Sequence, residues 1–248
     1  MTAIFITGTG TDVGKTYVAA SLIRHLRRMG RNVNAIKPVV SGFDPALPAS
    51  SDPGVLLQAL GLSITPQEIE RISPWRYRAA LSPDLAAHAE GQAIDFDAVV
   101  SFCRTAIEQR GDVLLIEGVG GVMVPLDDRR TVLDLMMALQ LPLILVAGSY
   151  LGTISHTLTA LDALFGRNLK VLATIVSETP HSTVPLADTV AAIGRFTDPV
   201  IGLPRQRYRA GGFESQGQEK QKDDNQGDNK TGRTVAAFDR IFGGPGSP

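Results

Sequence analysis

Gly8-Thr9-Gly10-Thr11-Asp12-Val13-Gly14-Lys15-Thr16 has the spacing G-x-x-x-x-G-K-[ST]. Glycines let the backbone curl so that successive N–H groups meet one anion. A helix opening behind the loop adds the partial positive charge of its N-terminus. In such a loop the lysine reaches the β- and γ-phosphates of a nucleoside triphosphate, and the following hydroxyl holds magnesium. Gly10, Thr11, Asp12, Val13, Gly14, Lys15, Thr16 and the adjoining Tyr17 are therefore expected to bind the nucleoside triphosphate.

Magnesium beside a triphosphate needs an acidic partner. Val113-Leu114-Leu115-Ile116-Glu117 reads as a strand ending in a carboxylate, followed by Gly118-Val119-Gly120-Gly121. Ligands of open α/β sheets bind at the carboxyl ends of strands, so Glu117 is expected to face the nucleotide. The glycine run allows another group to approach the backbone closely. Lys37-Pro38-Val39-Val40-Ser41-Gly42 ends a second strand. Its lysine points toward the same crevice or, on an equal footing, into solvent. Asp52 in Ser50-Ser51-Asp52 reads by itself as a helix cap. Asp12 places an anion beside the phosphates. That is costly unless it faces a metal or a substrate amine, and an outward-facing side chain fits equally well.

Other chemistries are poorly supported. The net charge of -1 offers no basic excess for nucleic acid. Cys103 is the single cysteine, which excludes an internal disulfide and a cysteine metal cluster. Its place between Phe102 and Ile107 predicts a buried, inert thiol. His25, His88, His156 and His181 lack metal-ligand spacing. The N-terminus lacks the basic start of a signal peptide. The longest apolar run, near residues 141–147, is too short for a bilayer. A soluble cytoplasmic chain is expected.

The elements that must position these groups alternate. Strands are predicted at residues 3–7, 33–37, 113–117, 143–147, 171–176 and 200–203. Several are apolar throughout, as strands buried on both faces should be. Helices are predicted at 16–29, 96–109, 132–139, 155–165 and 186–196. Gly30, Gly111 and Gly166 are expected to supply left-handed caps, and Thr65-Pro66-Gln67-Glu68 to start a further helix. The pattern predicts an α/β domain: a doubly wound, mainly parallel sheet with helices on both faces. It spans residues 1–213. Residues 214–248 form a tail, and 214–233 contain no large apolar side chain and are expected to stay disordered. Residues 235–242 are weakly amphipathic, with docking possible and a flexible extension favoured.

Together these motifs resemble the dethiobiotin synthetases of the P-loop superfamily. The likeness extends through Ser82-Pro83, Leu141-Pro142-Leu143-Ile144-Leu145-Val146, Leu151-Gly152-Thr153-Ile154-Ser155-His156 and Gly202-Leu203-Pro204. It covers about residues 2–206. The resemblance implies an ATP-dependent ligase that forms dethiobiotin from 7,8-diaminopelargonic acid and CO2, through a carbamate and a carbamic–phosphoric anhydride. It implies catalytic roles for Lys15, Lys37, Thr11 and Ser41, and magnesium held by Thr16, Asp52 and Glu117. Asp12, Lys37, Ser41, Glu117, Gly120 and Gly121 would contact substrate. The family's homodimer implies that Gly152, Thr153 and Ser155 of one subunit take the distal carboxylate of the substrate bound to the other. Adenine would lie near Ser177, Glu178, Pro204 and Arg205. Family members often carry Asn-Asp where this chain has Ser177-Glu178, and they do not require the tail.

Rival readings have weaker support. Partitioning-type switch ATPases share the fold but usually carry an early second lysine in the loop, where this chain has Gly10. Cobalamin-type amidoligases generally add a glutamine-hydrolysing domain with a nucleophilic cysteine, which nothing here supplies.

Overall fold

A computed structural model describes residues 2–109, 111–180, 182–205 and Phe238. Six strands form the main sheet: β1 (Thr2–Gly8), β2 (Val33–Ile36), β5 (Val113–Glu117), β6 (Leu143–Gly148), β7 (Val171–Ser177) and β8 (Val200–Leu203). Their order is β2-β5-β1-β6-β7-β8, and every pairing is parallel. β5 and β6 are buried along their whole length, as their unbroken apolar runs require.

β1 lies between β5 and β6. The chain moves from β1 outward to β2 through α1 (Lys15–Arg28), then travels the other way through the remaining crossovers. Right-handed crossovers therefore put α1 on one face. They put α5 (Phe96–Glu108), α6 (Val132–Leu139), α7 (Thr153–Phe165) and α8 (Leu186–Ile193) on the other. The packing agrees: α1 lies against α2 (Asp52–Leu60), α5 against α6, and α7 against α8. The reversal at β1 makes the switch point at which such sheets bind ligands.

Several elements escape the sequence pattern. β3 (Val39–Ser41) and β4 (Trp75–Tyr77) pair in parallel as a separate small sheet, and three residues are too few to show a period. α2 and α4 (Pro83–Ala89) were also not among the expected helices. α3 (Pro66–Ile72) begins at the expected signal, with the Glu68 N–H donating to Thr65 Oγ1 at 3.2 Å.

The glycine caps need correction. Gly30 is left-handed, with φ of 75°. Gly166 is right-handed, and the positive φ after α7 falls on Asn168. Gly111 does not take a positive φ either, and α6 ends on left-handed Gln140. Gln140 Nε2 donates to Met137 O at 2.8 Å, a local bond that offsets part of the strain of that conformation.

Cys103 is fully buried on α5, and burial pushes its thiol up to about 12. No helix among the described residues is long and apolar enough to cross a membrane. The tail segments 214–233 and 243–248, and His181, lie outside the described residues. Phe238 is the exception in the tail. It is buried in the main core, edge-on to the His25 ring of α1 at 5.6 Å.

Candidate active site

The loop after β1 is fastened on both sides. The Thr9 N–H donates to Val146 O at 2.9 Å, and the Val122 N–H donates to Gly8 O at 3.1 Å. Gly14 has φ of 95° and Asp12 has φ of 56°. Both left-handed residues turn the chain so that α1 starts at Lys15. The glycine run after Glu117 packs against this loop: a Cβ on Gly121 would lie 3.2 Å from Gly10 Cα. A side chain there would push the two backbones apart, so Gly121 is a packing requirement.

Lys15 is buried, and its ammonium donates to Gly10 O at 2.8 Å. Burial, reinforced by the Lys37 charge, lowers its pKa to about 8 against the opposing pull of Glu117, Asp52 and Asp12. Thr16 Oγ1 donates to Glu117 Oε1 at 2.6 Å and stands 2.9 Å from Asp52 Oδ1. Lys37 is buried just beyond β2. The Ser73 hydroxyl donates to its carbonyl at 2.6 Å, and its own N–H donates to Ile72 O at 2.9 Å. Its ammonium bonds to Asp52 Oδ2 and, at 2.7 Å, to Glu117 Oε1. The solvated-lysine alternative is thereby removed.

Asp52 is not the cap of α2. Ser51 takes that role, with its hydroxyl accepting the Gly54 N–H at 3.2 Å. The Asp52 carboxylate is thus left for Lys37 and Thr16. Burial alone would raise the Asp52 pKa, but the Lys37 charge and hydrogen bond outweigh it and hold the carboxyl below its usual value. The same two carboxylates outweigh burial at Lys37 and raise its pKa. The cluster is a fixed charge pattern in a low-dielectric pocket.

A cleft of 840 Å³ opens over these groups. Thr11, Asp12, Tyr17, Ser41, Gly120 and Arg205 line it with Lys15, Thr16, Lys37 and Asp52, while Glu117, Gly121 and Ser177 are not part of its lining. Ser41 lies at the end of β3, and the Gly42 N–H donates to Ala79 O at 2.9 Å. That bond brings Ala80, Leu81, Ser82 and Pro83 into the same wall. Sequence reasoning gave this segment no role. The helix-start pair Ser82-Pro83 was the available signal.

The far end of the cleft joins three segments. Tyr17 Oη donates to Pro204 O at 3.2 Å. The Glu178 N–H donates to Leu203 O at 3.0 Å, and its Oε2 accepts the Arg205 N–H at 2.9 Å. Ser177 closes β7 directly against Gly14. Tyr17, Ser177, Glu178, Pro204 and Arg205 thus meet at one end of the cleft.

Gly152, Thr153 and Ser155 do not line the cleft. Gly152 caps α7 with φ of 96°, and the buried Thr153 hydroxyl donates to Gly148 O at 2.7 Å. Thr153 therefore has no free hydroxyl for a ligand. Leu151 beside them is 87% exposed, which leaves an apolar side chain at this helix start open to a further surface.

The described residues include no group of three His, Cys, Asp or Glu side chains able to hold a metal. Thr16, Asp52 and Glu117 instead offer hard oxygen donors, and Glu117 Oε2 is buried without a hydrogen bond. Two carboxylates and a hydroxyl suit magnesium. That ion binds through few protein oxygens together with substrate phosphates.

Comparison with known proteins agrees with this arrangement. A family model described as an AAA domain matches residues 2–205. The ATP-dependent dethiobiotin synthetase BioD of Caulobacter sp. (strain K31) is 50% identical over 208 residues, covering 83% of this chain and 89% of that protein. The synthetase of the same name from Acidiphilium cryptum (strain JF-5) is 47% identical, covering 76% and 85%. That of Methylobacterium nodulans (strain LMG 21967 / CNCM I-2342 / ORS 2060) is 44% identical, covering 88% and 97%. The chain belongs to the ATP-dependent dethiobiotin synthetase family.

Proposed function

We propose that this chain joins 7,8-diaminopelargonic acid and CO2 into dethiobiotin at the expense of ATP. One substrate amine adds to CO2 and loses a proton, giving a carbamate. The carbamate oxygen attacks the γ-phosphorus and ADP leaves. The second amine attacks the carbonyl of the resulting anhydride, phosphate departs, and the ureido ring closes. Carbamate and triphosphate repel each other, so the protein must supply cations where they meet. The observation that carries this reading is the pair of buried ammonium groups, Lys15 and Lys37, on one cleft wall. Fixed charges in a dry site stabilise developing negative charge better than water does.

In this reading Lys15 and the loop N–H groups from Gly10 to Thr16 hold the phosphates, and Lys37 faces the carbamate. Thr11 and Ser41 donate hydrogen bonds to the carbamate or the transferring phosphoryl group. Asp12 faces the diamine end together with Gly120, while Gly121 packs on Gly10 outside the cleft lining. Thr16, Asp52 and Glu117 would hold magnesium, which when bound neutralises charge on the β- and γ-phosphates. Tyr17, Ser177, Glu178, Pro204 and Arg205 surround the base.

Gly152, Thr153 and Ser155 stand away from the cleft beside exposed Leu151. This supports a homodimer in which their helix start serves the partner's substrate. The Ile154 and Ser155 N–H groups at the start of α7 would bind its carboxylate, because the Thr153 hydroxyl and N–H are committed. We place the enzyme in the cytoplasm, with residues 1–213 as the catalytic domain and 214–248 as an extension. The test is ADP release that depends on both diaminopelargonate and bicarbonate. ADP release that ignores either one returns the chain to a general nucleotide hydrolase.

A further inference from the structure

Lys37 holds one oxygen of each of the two carboxylates that a divalent cation would bind. Its ammonium bonds to Asp52 Oδ2 and to Glu117 Oε1, and Thr16 Oγ1 touches the other Asp52 oxygen and the same Glu117 oxygen. The cluster contains two carboxylates, Lys37 and the nearby Lys15; Glu117, Lys37 and Lys15 are buried, and Asp52 is partly exposed. A divalent cation taking up Asp52 Oδ1 and the unpaired Glu117 Oε2 would share both carboxylates with the ammonium, and the two cations would repel each other there. Leaving three cations against two carboxylates would put unbalanced like charge in a pocket of low dielectric.

We propose that Lys37 is the resident counter-ion of Asp52 and Glu117, and that a divalent cation arriving at those carboxylates displaces its ammonium into the cleft toward the substrate. This rests on the reading of Thr16, Asp52 and Glu117 as metal ligands and adds an order to it. In the paired arrangement Lys37 serves the protein's own carboxylates and keeps buried Glu117 neutralised. After exchange the divalent charge takes over that duty. The ammonium then has no protein anion as close as the ones it left, and a carbamate at Ser41 becomes its partner. Lys37 stands beside that space, since it lines the same cleft wall as Ser41 and Gly42. The exchange couples the arrival of the metal to the delivery of positive charge at the reacting carbamate. It also keeps Lys37 from binding an anion before the metal is in place.

The exchange has a direct thermodynamic signature. A ligand whose competent state is only fractionally populated binds more weakly by that fraction. If the paired state holds nine-tenths or more of the molecules, removing Lys37 tightens metal binding by about tenfold or more. The experiment is a manganese titration of the full-length protein without nucleotide, followed by the electron paramagnetic resonance signal of free Mn2+. Lys37→Met, which keeps length and loses charge, is expected to bind Mn2+ about tenfold more tightly than the unmodified protein. Lys37→Arg, which keeps the charge, is expected to bind no more tightly.

A second measurement needs no substitution. Amine acylation of the unmodified protein, read by mass spectrometry, is expected to label Lys37 more on adding Mn2+, relative to exposed Lys170. Equal Mn2+ affinity in the unmodified protein and Lys37→Met, or Lys37 labelling that ignores Mn2+, overturns the exchange alone. Absence of Mn2+ binding in all three proteins, even with ADP present, overturns the metal-ligand reading and the exchange with it.

Discussion

Gly14 and Ser177 stand so close that a Cβ on Gly14 would come within 2.5 Å of Ser177 Oγ. The contact joins the phosphate loop to the end of β7, and Gly14 holds φ of 95° there. Gly14→Ala meets both obstacles: a left-handed conformation costing about 1–2 kcal/mol and a collision with Ser177. ADP affinity, measured by calorimetry, is expected to fall by about tenfold or more. Gly14→Ala combined with Ser177→Gly should recover only the steric part. Unchanged affinity in the single variant would show that the loop yields freely.

Ser177 also limits how the base can be read. Glu178 Oε2 is engaged by the Arg205 N–H, and the Tyr17 hydroxyl by Pro204 O. What remains at Ser177 is one hydroxyl in place of an amide. Sites built to hydrogen-bond a distinguishing group reject its absence by about 10⁴-fold or more, whereas poorly matched sites manage about 10². GTP, CTP and UTP are therefore expected to support turnover within about a hundredfold of ATP. A strict ATP requirement in parallel assays would contradict this.

Lys15 makes nucleotide binding depend on pH. Its pKa is lowered to about 8, chiefly by burial, and the triphosphate prefers the protonated form. Below pH 8 this group leaves affinity unchanged. Above pH 8 binding must take up a proton, and the dissociation constant for ADP is expected to rise by up to about tenfold per pH unit. Stability moves in the opposite direction. Between pH 8 and 10.5 the unfolded chain binds the proton that folded Lys15 has lost, so the Lys15 contribution to stability grows as pH rises. Calorimetric titrations at pH 7, 8 and 9 decide the first point, and a flat profile would refute it.

Removing either cation should disable the chemistry. Lys15→Ala and Lys37→Ala are each expected to lower turnover by about 10²-fold or more, the scale for losing one preorganised electrostatic contact. Lys37→Ala should retain ADP binding, because Lys37 contacts the protein's carboxylates and not the loop that cradles phosphate. Near-normal turnover in either variant would break the proposed mechanism.

The local parts of this site are legible in the sequence because each depends on neighbouring residues. The loop at residues 8–16 and the strand ending in Glu117 carry their own backbone chemistry. So does the glycine run that packs Gly121 on Gly10. The Lys37–Asp52 bond is different. It joins residues from two elements, and α2 reveals itself only weakly, since Ser51 and Asp52 are both plausible caps. β3 and β4 are too short for a period, so the wall bearing Ser41 and Ser82 emerges only once the chain has folded. The misassigned cap after α7 shows the converse: Asn168 adopts the left-handed conformation that the sequence pattern assigned to Gly166.

Phe238 supplies the last prediction. A polar extension from 214 onward reads as dispensable, yet the Phe238 ring is 2% exposed and meets the His25 ring at 5.6 Å and 61°. His25 is itself buried on α1, the helix that begins with Lys15 and Thr16. Truncating a buried phenylalanine costs about 3–5 kcal/mol. For a domain of this size each kcal/mol shifts the melting temperature by about 2–4 °C. A chain ending at residue 213 is expected to fold, because the sheet and its core lie upstream. It should melt roughly 6–20 °C lower than the full chain, and Phe238→Ala should reproduce most of that loss. The readout is a thermal melt of the three proteins with and without ADP. Added ADP should narrow the gap only if α1 loosens when the ring is removed. Equal melting of Phe238→Ala and the full chain would mean that the ring contributes nothing to the core it enters.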